Sequence, residues 1–165
     1  MVTDPVSTIY NGIWRQLESD EYFRTTVREG NRIKYAGRAD GPTHKDNPHT
    51  GGYPEARLYL STMRAMTPAS SSSNMTWFTF SLQVVTGDRK LEQVCHPMLW
   101  SVFRALAKWT EYLLPLEYRE RRFVQSFREL TMNQSLDAVQ FQRGIVSWVS
   151  TWSFEVGCVL PLQEE

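Results

Sequence analysis

The chain has few of the features that identify several common classes of protein. Its 165 residues include only two cysteines, Cys95 and Cys158, in no metal-ligand spacing. Lysine plus arginine (18) equals aspartate plus glutamate (18), so no overall field draws the chain to nucleic acid or to an anionic membrane. It has no apolar run of about 20 residues and no signal segment near Met1. These features predict a soluble chain of cytosolic origin, with both cysteines buried and reduced.

Recognisable catalytic motifs are missing as well. The sequence has no glycine-rich phosphate loop, no nucleophile elbow and no HExxH zinc motif. His44, Asp46 and His49 are metal-binding residue types in a polar segment, but their spacing matches no recognised site. We therefore predict no catalytic residues, no metal and no cofactor. A site assembled from distant residues would escape such a motif search.

The clearest amphipathic segment is 97–114. At about 100° per residue its apolar side chains form one arc, while Ser101 falls on the polar side. The arc comprises Leu99, Val102, Phe103, Leu106 and Leu113. Proline suits the first helical position, and the proline at position 115 ends a helix before it. We predict one continuous helix over 97–114, with large side chains, Trp100 and Tyr112, widening its apolar face.

The start of the chain predicts two more helices. Asp4 and the proline after it match a helix N-terminus, and apolar residues then recur at helical spacing to about residue 19. Gly12 lies inside this helix and leaves room for a close neighbour. Asp20 is a second N-cap, opening a shorter helix that ends at Gly30 and Asn31.

Alternation of apolar and polar residues predicts five strands, at 32–36, 56–61, 75–86, 123–132 and 145–158. The last is long and has two tryptophans on its apolar side, which predicts a place in the middle of a sheet or against another subunit. We predict a single α+β domain over 1–165, with an antiparallel or mixed sheet of about five strands and helices packed on one face. Long loops are predicted at 38–52 and 63–75. The core is predicted to contain Phe80, Leu82, Phe103, Leu106, Trp148 and Trp152.

The segment 63–75 is interpreted as an assembly arm. Its four consecutive serines cannot order themselves, so a partner would have to hold them. Three methionines near its base suit adaptable contacts, and its arginine can reach a carboxylate across an interface. The predicted subunit-interface residues are Met63, Arg64, Met66, Met75, Trp100 and Tyr112.

The order of five stretches along the chain points to a protein family. They are IYNGIWRQLESDEYFRTTVREGNRI (9–33), YPE (53–55), FTFSLQVVTGD (78–88), HPMLWSVFRALAKW (96–109) and GIVSWVSTWSFEV (144–156). Together they resemble tail terminator (tail completion) proteins of long-tailed bacteriophages. The likeness covers most of the chain and rests on the pattern of residues rather than on invariant chemistry.

The resemblance implies a virion structural protein that is not an enzyme. Its copies would form a homo-oligomeric ring, commonly a hexamer, that caps the tail tube protein and joins it to the head-tail connector protein. It would assemble in the host cytoplasm and stay in the tail-neck region of the virion, without contacting a membrane or recognising a nucleic-acid sequence. A cyclic ring needs two different contact surfaces, for which the apolar helix face and a sheet edge are candidates.

Three other interpretations stay open. The chain could be another phage neck or head-completion protein. It could be a small cytosolic α+β enzyme that uses the histidines of the 38–52 loop, or a cytosolic adaptor that binds a peptide along its sheet edge. Mass in solution and a metal assay discriminate among these classes.

Overall fold

The computed structural model describes residues 4–34, 54–66, 73–87, 91–136 and 146–161. Its helices are α1 (Pro5–Ser19), α2 (Glu21–Thr26), α3 (Cys95–Leu106) and α4 (Trp109–Tyr112). Its strands are β1 (Arg32–Ile33), β2 (Glu55–Met66), β3 (Ser73–Thr86), β4 (Glu117–Tyr118), β5 (Arg121–Arg122), β6 (Val124–Leu136) and β7 (Trp148–Pro161). The predicted α+β class is confirmed. None of these helices is long and apolar enough to cross a membrane.

Five strands form one mixed sheet in the order β1-β2-β3-β7-β6. Only β1 and β2 run parallel, and the other neighbours are antiparallel. The last strand lies between β3 and β6, as its apolar pattern predicted. Strands β4 and β5 form a separate small hairpin.

The helices cover one face of this sheet. Buried side chains of α1 and α3 belong to one cluster with those of β2, β3 and β7. Phe80 and Phe154 stack within it at 6.1 Å between ring centroids. The predicted core positions of Phe80, Leu82, Leu106 and Trp152 are confirmed. The opposite face, here called the open face, carries mainly polar side chains.

Both N-terminal helices begin where their caps predicted. The Asp4 carboxylate accepts the Ser7 amide at 2.7 Å, and the Asp20 carboxylate accepts the Phe23 amide at 3.2 Å. The second helix ends earlier than predicted, at Thr26, and a 3₁₀ turn over Glu29–Asn31 follows it. Both cysteines are free and buried, and burial raises the pKa of the Cys158 thiol to about 12.

The prediction of one helix over 97–114 is wrong, because the chain leaves the helix after Leu106. Gln16 of α1 is fully buried, and its amide nitrogen donates to the carbonyls of Ala105 and Leu106 at 3.2 Å each. A continuous helix would use those carbonyls for the amides four residues later. α3 therefore ends there and α4 begins anew. The new helix lies close to α1. A Cβ added at Gly12 would be 2.9 Å from Leu113, so Gly12 leaves room for a close neighbour, as predicted.

The buried side of α3 is also turned from the predicted arc. Ser101 is fully buried because its hydroxyl donates to the Asp20 carboxylate at 2.5 Å, while Arg104 pairs with the same carboxylate at 3.0 Å. The hydrogen bond from Ser101 to Asp20 brings the predicted polar side of α3 into the interior. Phe103 consequently faces outward and is 46% exposed. The predicted core position of Phe103 is therefore wrong. Burial acts to raise the pKa of Asp20, but the hydrogen bonds and Arg104 outweigh it and hold that pKa below its usual value.

Trp148 is only half-buried, so its predicted core position is wrong as well. It is the first residue of β7 and pairs with Thr86 and Leu136, the last residues of their strands. The core cluster does not extend to this end of the sheet.

The predicted loop 63–75 is mostly strand, since β2 continues to Met66 and β3 begins at Ser73. A bulge at Ser61 shifts the register by one residue, so that Leu60 pairs with Phe80 but Thr62 pairs with Thr79. The rest of that loop, 67–72, lies outside the described residues. So do residues 35–36 of the first predicted strand and the whole 38–52 loop with His44, Asp46 and His49.

Candidate subunit-contact surfaces

A small groove lies on the open face near the end of the β2–β3 hairpin. Its volume is about 260 Å³, which is below the roughly 300–1,000 Å³ of small-molecule sites, so it suits one side chain. We call it the arm groove. Its lining residues are Thr62, Met63, Arg64, Trp77, Thr79 and Glu155.

The indole of Trp77 forms the fixed part of the arm groove. It lies across Gly157 of β7, where an added Cβ would be 2.6 Å from the ring. The Arg128 guanidinium stacks over the indole at 3.7 Å from the ring centroid. Arg128 also donates to the Glu155 carboxylate at 2.8 Å, so one arginine of the groove region is already held in place.

Arg64 is held far more loosely. Its guanidinium is 3.9 Å from the Glu155 carboxylate, which is beyond hydrogen-bond distance, and 59% of its side chain is exposed. Met63 beside it is 58% exposed. The bulge at Ser61 places Arg64 opposite Trp77 on the open face. Met63 pairs with the buried Phe78, so its side chain is on the helical side of the sheet. An incoming group on the open face therefore meets the Arg64 cation beside a rigid aromatic ring.

A second surface lies on the outer side of α3. Trp100 and Phe103 are three residues apart, hence on one helix face, and their rings stack at 5.8 Å with an interplanar angle of 19°. Trp100 is 58% exposed. Ala107 is exposed just beyond the end of the helix. We call these three residues the α3 ridge. Exposed aromatic side chains of this kind are enriched at protein interfaces.

The six predicted interface residues fall into four places. Met63 and Arg64 lie together in the arm groove. Met66 and the half-buried Met75 pair directly across the hairpin end. Trp100 is on the α3 ridge, while Tyr112 is half-buried in α4.

Sequence reasoning did not assign Trp77, Glu155 or Phe103 to these surfaces. Trp77 and Glu155 alternate with the core residues of β3 and β7, so the pattern marks them only as facing away from the core. A tryptophan on a polar strand face was the one available signal. Phe103 was assigned to the core instead of the ridge.

The two long edge strands are irregular. The pairing of β6 with β7 shifts between Val124 and Ser126 and again between Arg128 and Thr131. Between the latter, Glu129 has a positive φ of 55°. Strand β2 has the bulge at Ser61, and in the described part of the chain β1 covers it only at Ala56 and Arg57. Bulged edges accept an added strand poorly.

A wider concavity of about 480 Å³ lies beside the ridge, between α2 and the end of α3. Its acidic residues, Asp20 and Glu21, balance Arg104 and Lys108, and Asp20 is already paired with Arg104. It is a solvated polar hollow. Among the residues that the structure describes, no three His, Cys, Asp or Glu side chains come together as a metal site.

No protein-family model matches the chain, and no curated protein matches its sequence. Among solved structures, the chain is similar to one from an assembly described as "Virion of native gene transfer agent (GTA) particle". The TM-score is 0.47 with 12% sequence identity, over 92% of this chain and 95% of that chain.

Proposed function

We propose that this protein is a virion structural subunit that forms a ring on a phage tail tube and joins the tube to the head-side connector. The resemblance to tail terminator proteins supports this function. The matching stretches 9–33, 78–88, 96–109 and 144–156 follow one another in the same order as in that family.

The observation that carries the proposal is the presence of two unlike exposed surfaces on opposite layers of the molecule. The α3 ridge lies on the helical layer, and the arm groove lies on the open face. A closed ring forms through head-to-tail contacts, in which each subunit uses two different surfaces. A single self-complementary patch would instead favour a two-fold dimer.

The partners in this function are further copies of the chain, the tail tube protein and the head-tail connector protein. The overall charge is balanced at 18 against 18, so close-range contacts rather than a long-range field select these partners. The role requires neither turnover nor a cofactor.

The test is the assembly state of the full-length chain. Light scattering and native mass spectrometry are expected to find one closed oligomer, and electron microscopy of the same sample a ring with cyclic symmetry. Purified rings should also bind isolated tail tubes at one end. A protein that stays monomeric at every concentration, with and without tubes, would contradict the proposal.

A further inference from the structure

We propose that the α3 ridge of one copy docks into the arm groove of the next copy, with the Trp100 indole against the Arg64 guanidinium. This inference rests on the proposed ring and identifies the two surfaces that meet in it.

The groove has the chemistry to recognise a flat aromatic ring. Arg128 is already engaged with Trp77 and Glu155, whereas Arg64 has only a 3.9 Å contact with that carboxylate. A guanidinium binds favourably over the face of a tryptophan.

The ridge presents the complementary group. The faces of aromatic rings carry negative potential, and Trp100 and Phe103 hold two such rings in a fixed stack. The described part of the chain has five large apolar side chains that are exposed: Tyr59, Met63, Trp100, Phe103 and Leu136. Trp100 and Phe103 are the two that stack on each other. The loosely held Arg64 guanidinium and the negative ring face of Trp100 are therefore complementary in charge.

The fold prevents a copy from making this contact with itself. The ridge belongs to the helical layer and the groove to the opposite face of the sheet. A contact between them therefore joins two copies head to tail. Each open chain of copies keeps one unused ridge and one unused groove until the ring closes.

The test uses two surface variants, alone and mixed. Trp100→Ser removes the exposed indole of the ridge, and Arg64→Glu replaces the loosely held cation of the groove by an anion. Each variant alone should self-associate at least about tenfold more weakly than the wild type, because an interface anchor is lost. When mixed, the intact ridge of the Arg64→Glu chain can dock into the intact groove of the Trp100→Ser chain. Native mass spectrometry with one variant isotope-labelled should then find heterodimers, in which both chains are folded, and no rings.

Leu136→Ser is the matched control. It removes an exposed apolar side chain at the end of β6, outside both surfaces, and should leave the ring intact. Trp100→Phe keeps an aromatic ring and should retain part of the assembly.

The possible failures can be told apart. Rings of wild-type mass from Trp100→Ser would overturn this pairing and leave the ring itself standing. If both variants keep the wild-type melting temperature but form no heterodimer, the head-to-tail pairing is wrong. A wild-type chain that never self-associates would overturn both this inference and the proposed function.

Discussion

Leu106 and Phe103 are on the same helix but in opposite surroundings. Leu106 is fully buried, whereas Phe103 lies in the exposed ridge. Leu106→Ala should lower the free energy of unfolding by about 2–5 kcal/mol, because it leaves a cavity in the core. Phe103→Ala should cost about 1 kcal/mol or less, since much of the ring is already in water. Urea denaturation of monomeric protein measures both, and equal losses would contradict the orientation of α3.

Asp20 should give the protein a specific dependence on pH. Its pKa is lower in the folded chain than the usual 3.8, so its carboxylate contributes stability above that value, and this contribution is lost as the pH falls through the folded pKa. Asp20→Asn should lower the free energy of unfolding at neutral pH by about 1–3 kcal/mol, because buried partners lose a charged acceptor. The difference between wild type and variant should shrink in acid.

The control for this experiment is Asp4→Asn, which changes the exposed cap of α1. Asparagine also caps helices well, so this variant should stay near the wild type. A constant difference between Asp20→Asn and wild type from neutral pH to pH values below 3.8 would mean that the Asp20 charge is not the cause.

Residue 157 has to be glycine because the Trp77 indole lies directly across it. Gly157→Ala would place a methyl group 2.6 Å from Trp77 and from the Ser126 hydroxyl. We expect a loss of about 1–3 kcal/mol and a changed near-ultraviolet dichroism as the indole moves. Gly30→Ala has no atom within 4 Å of the added methyl group and should change neither measurement. An unperturbed Gly157→Ala variant would contradict the close packing of Trp77.

At the scale of elements, the small β4–β5 hairpin has a strained turn. Its turn residues, Arg119 and Glu120, have positive φ angles of 52° and 64°. Two-residue hairpin turns with both angles positive strongly favour Asn-Gly. Arg119→Asn combined with Glu120→Gly should therefore raise stability by about 0.5–2 kcal/mol, measured as the melting temperature. Glu117→Gly, in the adjoining strand, should not raise it.

Local signals determine how much of these elements the sequence could predict. The caps Asp4 and Asp20 act within a few residues, so the starts of α1 and α2 were predictable. The end of α3 was not, because it depends on Gln16, about 90 residues away in the chain. The same holds for Phe103, whose exposure follows from the bond between Ser101 and Asp20, 81 residues apart.

The candidate surfaces were also predictable only in part. Met63, Arg64 and Trp100 stood out as residue types, and the structure places them on exposed surfaces. The partners that give the groove its shape, Trp77 and Glu155, come from other strands. Their approach to Arg64 depends on the bulge at Ser61, which a pattern of alternation does not reveal.

At the scale of the whole molecule, the balance of positive and negative charge determines how the rate of association responds to salt. With 18 positive and 18 negative residues, copies of the chain should meet without long-range steering. We expect the rate of association, followed by stopped-flow light scattering, to change little with added salt. A steep fall in the rate would indicate a strongly charged contact instead of the aromatic one proposed here.

The bulges in β2 and β6 also bear on how the protein survives at high concentration. A long, flat and regular edge is a template on which chains can stack into fibres. Here the pairing of β6 with its inner neighbour shifts register twice, and that of β2 once, so neither edge strand is flat and regular. Copies should therefore associate through side chains, by contacts that can form, break and be corrected. Such a protein can accumulate at high concentration while its copies associate reversibly. We expect it to remain free of amyloid-type aggregates under conditions in which proteins with regular sheet edges precipitate.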